Sequence, residues 1–318
     1  MAGRADSSDL AAARPSLLAR IVSRLRGEAG EAVAAPVAEI DIDTAAAASG
    51  PPEPPLDLLT IRQWLWGAGF HQPGSAEYVL KLVKPFAANP AMSMLDVAAG
   101  MGGAARAISE AFGTYITGLE RDPELARRGM EMSIAAGMQR HAPVSAIDPE
   151  TFELRTGAFD CILARGATYS VHDKERFMRV LILGLKQRGQ LLMTDYVLDP
   201  ARAERPEFAL WASLQPYPPS PWTLQQYTDC FKSLGFDVRI TEDITHDLKL
   251  QIVLGWDHLV QTVDIKALPR PHKLQIVNEA ERWVKTIMAL DAGVVKAYRF
   301  YALAGSARPP LSSIRKAR

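Results

Sequence analysis

The stretch Met94-Leu-Asp-Val-Ala-Ala-Gly-Met-Gly-Gly-Ala-Ala-Arg106 constrains this chain more than any other. Met94, Leu95 and Val97 read as a buried strand, and Gly100, Gly102 and Gly103 as a turn. Ala104 to Phe112 reads as a helix with Ile108 and Phe112 on one face. Strand, glycine turn and helix in that order make the opening unit of an α/β domain with a parallel sheet. Glycines suit such a turn because a Cβ would keep a ligand away from the backbone. A second strand, Tyr115-Ile-Thr-Gly-Leu, ends at Glu120, 17 residues after Gly103. A carboxylate about 20 residues past the turn is placed to accept hydrogen bonds from a ribose. The chain is therefore organised around a nucleoside-containing ligand.

Two cofactors compete for that place. Gly100-Met-Gly-Gly-Ala-Ala105 fits the dinucleotide pattern G-x-G-x-x-G/A. Three features favour S-adenosylmethionine (SAM) over NAD. Asp96 lies inside the first strand, where a carboxylate can face the amino group of a methionine moiety but would sit badly beside a pyrophosphate. Asp148 follows a third apolar strand, where an adenine amino group would find an acceptor. Phe159-Asp-Cys-Ile-Leu-Ala164 and Gln190-Leu-Leu-Met-Thr-Asp-Tyr196 read as strands four and five, with Leu185-Lys-Gln-Arg-Gly189 as the turn before the latter.

These motifs resemble, in order, those of class I SAM-dependent methyltransferases. Phe159-Asp-Cys-Ile-Leu-Ala-Arg165, His172-Asp-Lys174 and Leu192-Met-Thr-Asp-Tyr196 are most similar to phosphoethanolamine (phosphobase) N-methyltransferases, as are Trp66-Gly-Ala-Gly-Phe70 and Pro73-Gly-Ser75. The resemblance implies a Rossmann-like α/β fold: a seven-stranded, mostly parallel sheet with an antiparallel last strand, under a helical cover. It implies SAM bound by Gln72, Asp96, Gly100, Gly102, Glu120, Arg121, Asp148, Pro149 and Arg165. The family's catalytic His falls at Ser170, which leaves His172 and Tyr169 as the catalytic candidates. The partner Tyr falls in the Pro-rich stretch near Pro54, the phosphate-binding Arg and Tyr near Gln215 to Tyr217, and the Lys at Ala304 or its neighbour. These departures point away from phosphoethanolamine. They suggest a neutral or lipid-like acceptor walled by Phe70, Tyr196, Tyr217 and Trp222. Two further readings stand beside methyl transfer: an NAD-dependent oxidoreductase, and a non-catalytic SAM-binding scaffold.

The chain has 318 residues, 48% of them hydrophobic, enough for one large core, and its formal net charge is zero. Nothing in that balance favours nucleic acid, and no Cys/His spacing suggests a metal. Cys161 and Cys230 read as packing residues, consistent with a reducing, cytoplasmic setting. Residues 1–56 form an Ala/Pro-rich tail that lacks the aromatic content to fold alone. Within it, residues 15–26 place Leu17, Leu18, Ile21, Val22 and Leu25 on one helical face with Arg20, Arg24 and Arg26 elsewhere. Such a helix can lie on an anionic surface, giving an expectation of peripheral contact at the inner face of a membrane. Residues 57–305 are expected to be the methyltransferase domain, with 57–90 as a lid and 197–222 and 246–292 as substrate cover. Residues 306–318 are a basic tail.

Overall fold

The central strands are apolar on both faces, which requires helices above and below the sheet. The computed structural model describes residues 57–305; the segment 1–56, the basic helix expected at 15–26 and the tail 306–318 lie outside them. Seven strands form one sheet: β1 (Ser93–Val97), β2 (Tyr115–Glu120), β3 (Val144–Ala146), β4 (Phe159–Arg165), β5 (Leu185–Leu198), β6 (Phe236–Asp243) and β7 (Val295–Ala304). Their order is β3-β2-β1-β4-β5-β7-β6. Pairing is parallel from β3 to β5, and β7 is antiparallel to both β5 and β6.

Side chains alternate along a strand, so the central strands feed two cores. Met94, Cys161, Leu163 and Leu192 join one, with α1 (Leu58–Trp66), α2 (Ala76–Leu82) and α3 (Gly103–Phe112). The long helices α8 (Thr245–Thr262) and α9 (Arg270–Asp291) complete that side. Leu95, Val97, Ile162, Leu191 and Met193 join the other core, with α5 (Lys174–Gly184) and α7 (Leu224–Ser233). The remaining helices are α4 (Pro123–Ala135) and α6 (Pro206–Ala212). Starts are written in the sequence: Asp122 caps α4 with Pro123 in its first turn, and Thr223 and Gln226 form a capping box on α7. Cys161 and Cys230 are buried free thiols. Among the described residues no helix is long and apolar enough to cross a membrane.

Two local expectations change. The turn read at Leu185–Gly189 is a bulge inside β5: Phe159 pairs with Leu185, then Cys161 with Gln190, and Arg188 takes a left-handed φ of 58°. The Pro-rich connection 197–222 contains α6, because Pro206 sits where a missing N–H costs nothing and Trp211 anchors the turn in the core.

Candidate active site

Strand order reverses between β1 and β4, and at such a switch point the loops at the carboxyl ends part to leave a crevice. The turn after β1 is built for close approach. The N–H groups of Ala98 and Ala99 both donate to the Leu119 carbonyl, and Ala98 takes a left-handed φ of 72°. Gly100 follows at φ 57°, and a Cβ there would lie 2.1 Å from Nδ1 of His71. Glu120, at the end of β2, locks this turn: Oε2 accepts from the Gly100 N–H at 2.6 Å and Oε1 from the Asp122 N–H at 2.9 Å. Burial pushes its carboxyl up, while these backbone donors pull it down.

Asp96 is fully buried, and neither carboxylate oxygen has a hydrogen-bond partner within the protein. Burial pushes its pKa to about 6, against the pull of the Arg165 charge. A buried carboxyl without donors is costly unless a ligand completes it. His71 is held neutral, its pKa lowered to about 3 by burial and by Arg62, Arg165 and Arg282. The Gln72 amide donates to its Nε2 at 3.1 Å.

Two cavities adjoin here. The first is bordered by Glu120, Arg121, Pro149, Ser170 and Tyr217, with His71 and Arg62 at its flap side. The second is bordered by Arg165, Asp195, Tyr196 and Gln215. Gln72, Gly166, Tyr169 and Arg282 line both and form the shared wall. Asp195 is buried, and burial pushes its pKa to about 6; Oδ2 accepts from the Thr168 N–H and Oδ1 from the Tyr196 N–H, both at 2.8 Å. The Tyr169 hydroxyl donates to Gln215 at 3.3 Å, and burial pushes its pKa to about 12. At neutral pH Tyr169 is therefore a hydrogen-bonding group and not a base.

The structure thus brings Gln72, Glu120, Arg121, Pro149, Arg165, Tyr169, Tyr196 and Tyr217 to the cavities, with Asp96 and Gly100 immediately behind the turn. Other candidates lie outside both cavities. His172 is exposed and borders neither cavity; it serves through its backbone N–H, which donates to Glu150 at 2.7 Å. Trp222 packs on Tyr227 and lies under Lys174, away from both cavities. Phe70 is a core residue, buried where the flap meets Gly103. Gly102 faces Val144 and Arg106 and borders neither cavity. The Asp148 carboxylate accepts from the Glu150 N–H and the Thr151 hydroxyl, closing a turn whose neighbours Ile147 and Pro149 do the lining.

Sequence reasoning missed His71, Arg62 and Arg282. His71 lies between Phe70 and Gln72, both of which it singled out. Arg282 had a usable signal: Glu279, Arg282 and Trp283 stand at i, i+3 and i+4 on one helix face. In the structure Glu279 is buried and accepts from Arg62 Nε (3.2 Å), Arg282 Nη1 (3.3 Å) and Trp283 Nε1 (3.0 Å). One carboxylate therefore serves two guanidinium groups.

A family model described as a methyltransferase domain matches residues 72–240, just over half of the chain. Phosphoethanolamine N-methyltransferase 2 of Caenorhabditis elegans is 26% identical over 135 residues, 42% of this chain and 31% of that protein. Phosphoethanolamine N-methyltransferase 1 of Zea mays is 26% identical over 181 residues, 57% of this chain and 35% of that protein. The chain thus spans about a third of the length of these curated relatives. Among solved structures, Haemonchus contortus phosphoethanolamine N-methyltransferase 2, in complex with phosphomonomethylethanolamine and S-adenosylhomocysteine, has a similar fold. Its TM-score is 0.67 at 20% identity, covering 78% of this chain and 57% of that one. A putative sarcosine dimethylglycine methyltransferase from Galdieria sulphuraria gives a TM-score of 0.59 at 18% identity, covering 73% of this chain and 85% of that one.

Proposed function

The chain belongs to the methyltransferase-domain family, with the sheet of the class I fold, and from that premise we propose that it transfers a methyl group from SAM to a small-molecule acceptor. The observation that carries this reading is Asp96: a fully buried carboxylate with both oxygens lacking a donor, behind a glycine turn. An α-ammonium would supply the missing donors, which a pyrophosphate could not do. Glu120 keeps lone pairs for ribose hydroxyls beyond the two backbone N–H groups it accepts. Gln72 and Arg121 complete the donor side. SAM supplies a methyl group already activated by its sulfonium, so the protein's work is alignment and exclusion of water.

The second cavity would hold the acceptor. Its guanidinium groups argue for an acceptor with an acidic group, and against the neutral or lipid-like acceptor suggested by the sequence. Arg165 and Arg282 each keep a buried Nε with no acceptor, while the Asp195 oxygens already accept backbone N–H groups. A buried donor of this kind is satisfied by an anion at the least cost. Tyr169 and Tyr196 remain protonated at neutral pH and can donate to the same group. Asp195 borders this cavity and, beyond the two backbone N–H groups it accepts, keeps lone pairs that can take a proton from the nucleophile. Ser170 stands where the phosphobase enzymes are expected to carry their catalytic His, so phosphoethanolamine itself is not the acceptor proposed.

The test incubates the full-length protein and methyl-labelled SAM with an extract of the source cells, then partitions the products between chloroform and water. Label in the aqueous phase that an anion exchanger retains at pH 8 is the expected result. Label in chloroform would overturn the acidic small-molecule assignment. No transfer, with no S-adenosylhomocysteine binding by calorimetry, would remove the SAM reading itself.

A further inference from the structure

The sequence places Tyr217 with the acceptor, but the structure puts it over the donor cavity. The Arg121 guanidinium carbon lies 3.8 Å from the Tyr217 ring centroid, and both residues border the cavity that Glu120 closes from below. Arg121 is itself fixed: its Nη1 donates to the Ser170 carbonyl at 3.2 Å and to the Ser170 hydroxyl at 3.4 Å.

Tyr217 sits in the stretch between α6 and α7, which has neither helix nor strand from Ser213 to Trp222. That stretch is pinned on both sides of the tyrosine to the loop after β4. Before it, Gln215 accepts from the Tyr169 hydroxyl and donates to the Trp211 carbonyl at 3.1 Å. After it, the Ser220 N–H donates to the Tyr169 carbonyl at 2.7 Å. Lys174, buried, donates from Nζ to the Ser220 hydroxyl at 2.7 Å and to the Val171 carbonyl at 2.5 Å. Pro216, Pro218, Pro219 and Pro221 fix φ around Tyr217, so little backbone entropy is lost in holding the ring in place.

We propose that residues 213–222 form a strap that keeps the methyl donor bound, with Tyr217 as a positioning residue that acts through Arg121. This rests on the donor reading above and adds a separate claim, that the residence time of the donor is set by one aromatic–guanidinium contact. Escape from the cavity requires the stack to part, whereas the pins at Gln215 and Ser220 stay closed. A partly exposed cation–π contact corresponds to about a 5- to 30-fold effect on such a rate.

The experiment measures S-adenosylhomocysteine dissociation from the full-length chain by surface plasmon resonance. Tyr217→Ala is expected to raise the off-rate about 5- to 30-fold with the on-rate within about twofold, and Tyr217→Phe, which keeps the ring, to behave as the wild type. Arg121→Leu should raise the off-rate too, and Tyr217→Ala added to it should raise it no further, because the two act as one contact. An unchanged off-rate in Tyr217→Ala, additive effects in the double variant, or Tyr217→Phe as fast as Tyr217→Ala would overturn the proposal. If the wild type fails to bind S-adenosylhomocysteine, it is the donor reading that fails, and the two failures are thereby told apart.

Discussion

Asp96 gives the donor cavity a pH signature. Burial holds its pKa near 6, and an ammonium ligand needs the ionised form. Affinity for S-adenosylhomocysteine is therefore expected to be constant above pH 6 and to fall as pH drops below it, by at most about tenfold per unit, as titration calorimetry from pH 5 to 8 would record. The ligand-free chain should move the other way. Its raised Asp96 and Asp195 hold protons more tightly folded than unfolded, so their contribution to stability is complete below the ordinary value of 3.8 and is lost as pH rises through 6. His172 supplies the opposite kind of prediction. Its ring is in solvent and only its backbone N–H is engaged, so His172→Ala should leave kcat/KM for label transfer within about twofold of the wild type. The placement of residues at a fixed offset from the glycine turn, such as Asp96 buried behind it and Glu120 bonded to the Gly100 N–H, was legible in the sequence. Those that reach the cavities across the fold, such as Arg62 and Arg282, were not, because local spacing can mark one face of a helix but does not say which cavity that face will border.

Among elements, the sheet was the most readable part, since two-sided apolar strands and capped helices each carry a local signature. The contact between α1 and α8 was not, because it depends on one glycine inside a helix. A Cβ on Gly255 would lie 2.1 Å from the Trp66 ring and 2.8 Å from the Leu65 carbonyl, both in the buried seam between the two helices. Gly255→Ala gains about 1 kcal/mol of helix propensity. Overpacking against a buried ring and a backbone oxygen costs about 1–3 kcal/mol. The net expectation is a loss of up to about 2 kcal/mol in urea denaturation, against the usual benefit of replacing a helical glycine.

At the scale of the whole molecule, the cavities join the two ends of the described chain. Arg62 on α1 and Glu279 on α9 are 217 residues apart, yet their side chains pair in a buried cluster. Burial pushes the Glu279 carboxyl up, but Arg62 and Arg282 outweigh it and hold it below its ordinary value. Its contribution to stability is therefore present above the ordinary value of 4.5 and is lost as pH falls further. Glu279→Ala would leave two mostly buried guanidinium groups without their shared partner, and a loss of about 3 kcal/mol is expected from its chemical denaturation midpoint. That same long-range closure has a consequence for synthesis. A ribosome releases the glycine turn, Asp96 and Glu120 early, but the wall made by Arg282 emerges only after nearly the whole domain has been translated. The nascent chain therefore cannot be rescued by its own ligand: it must carry an incomplete, polar hollow until α9 arrives, and only then can binding begin to favour the folded state.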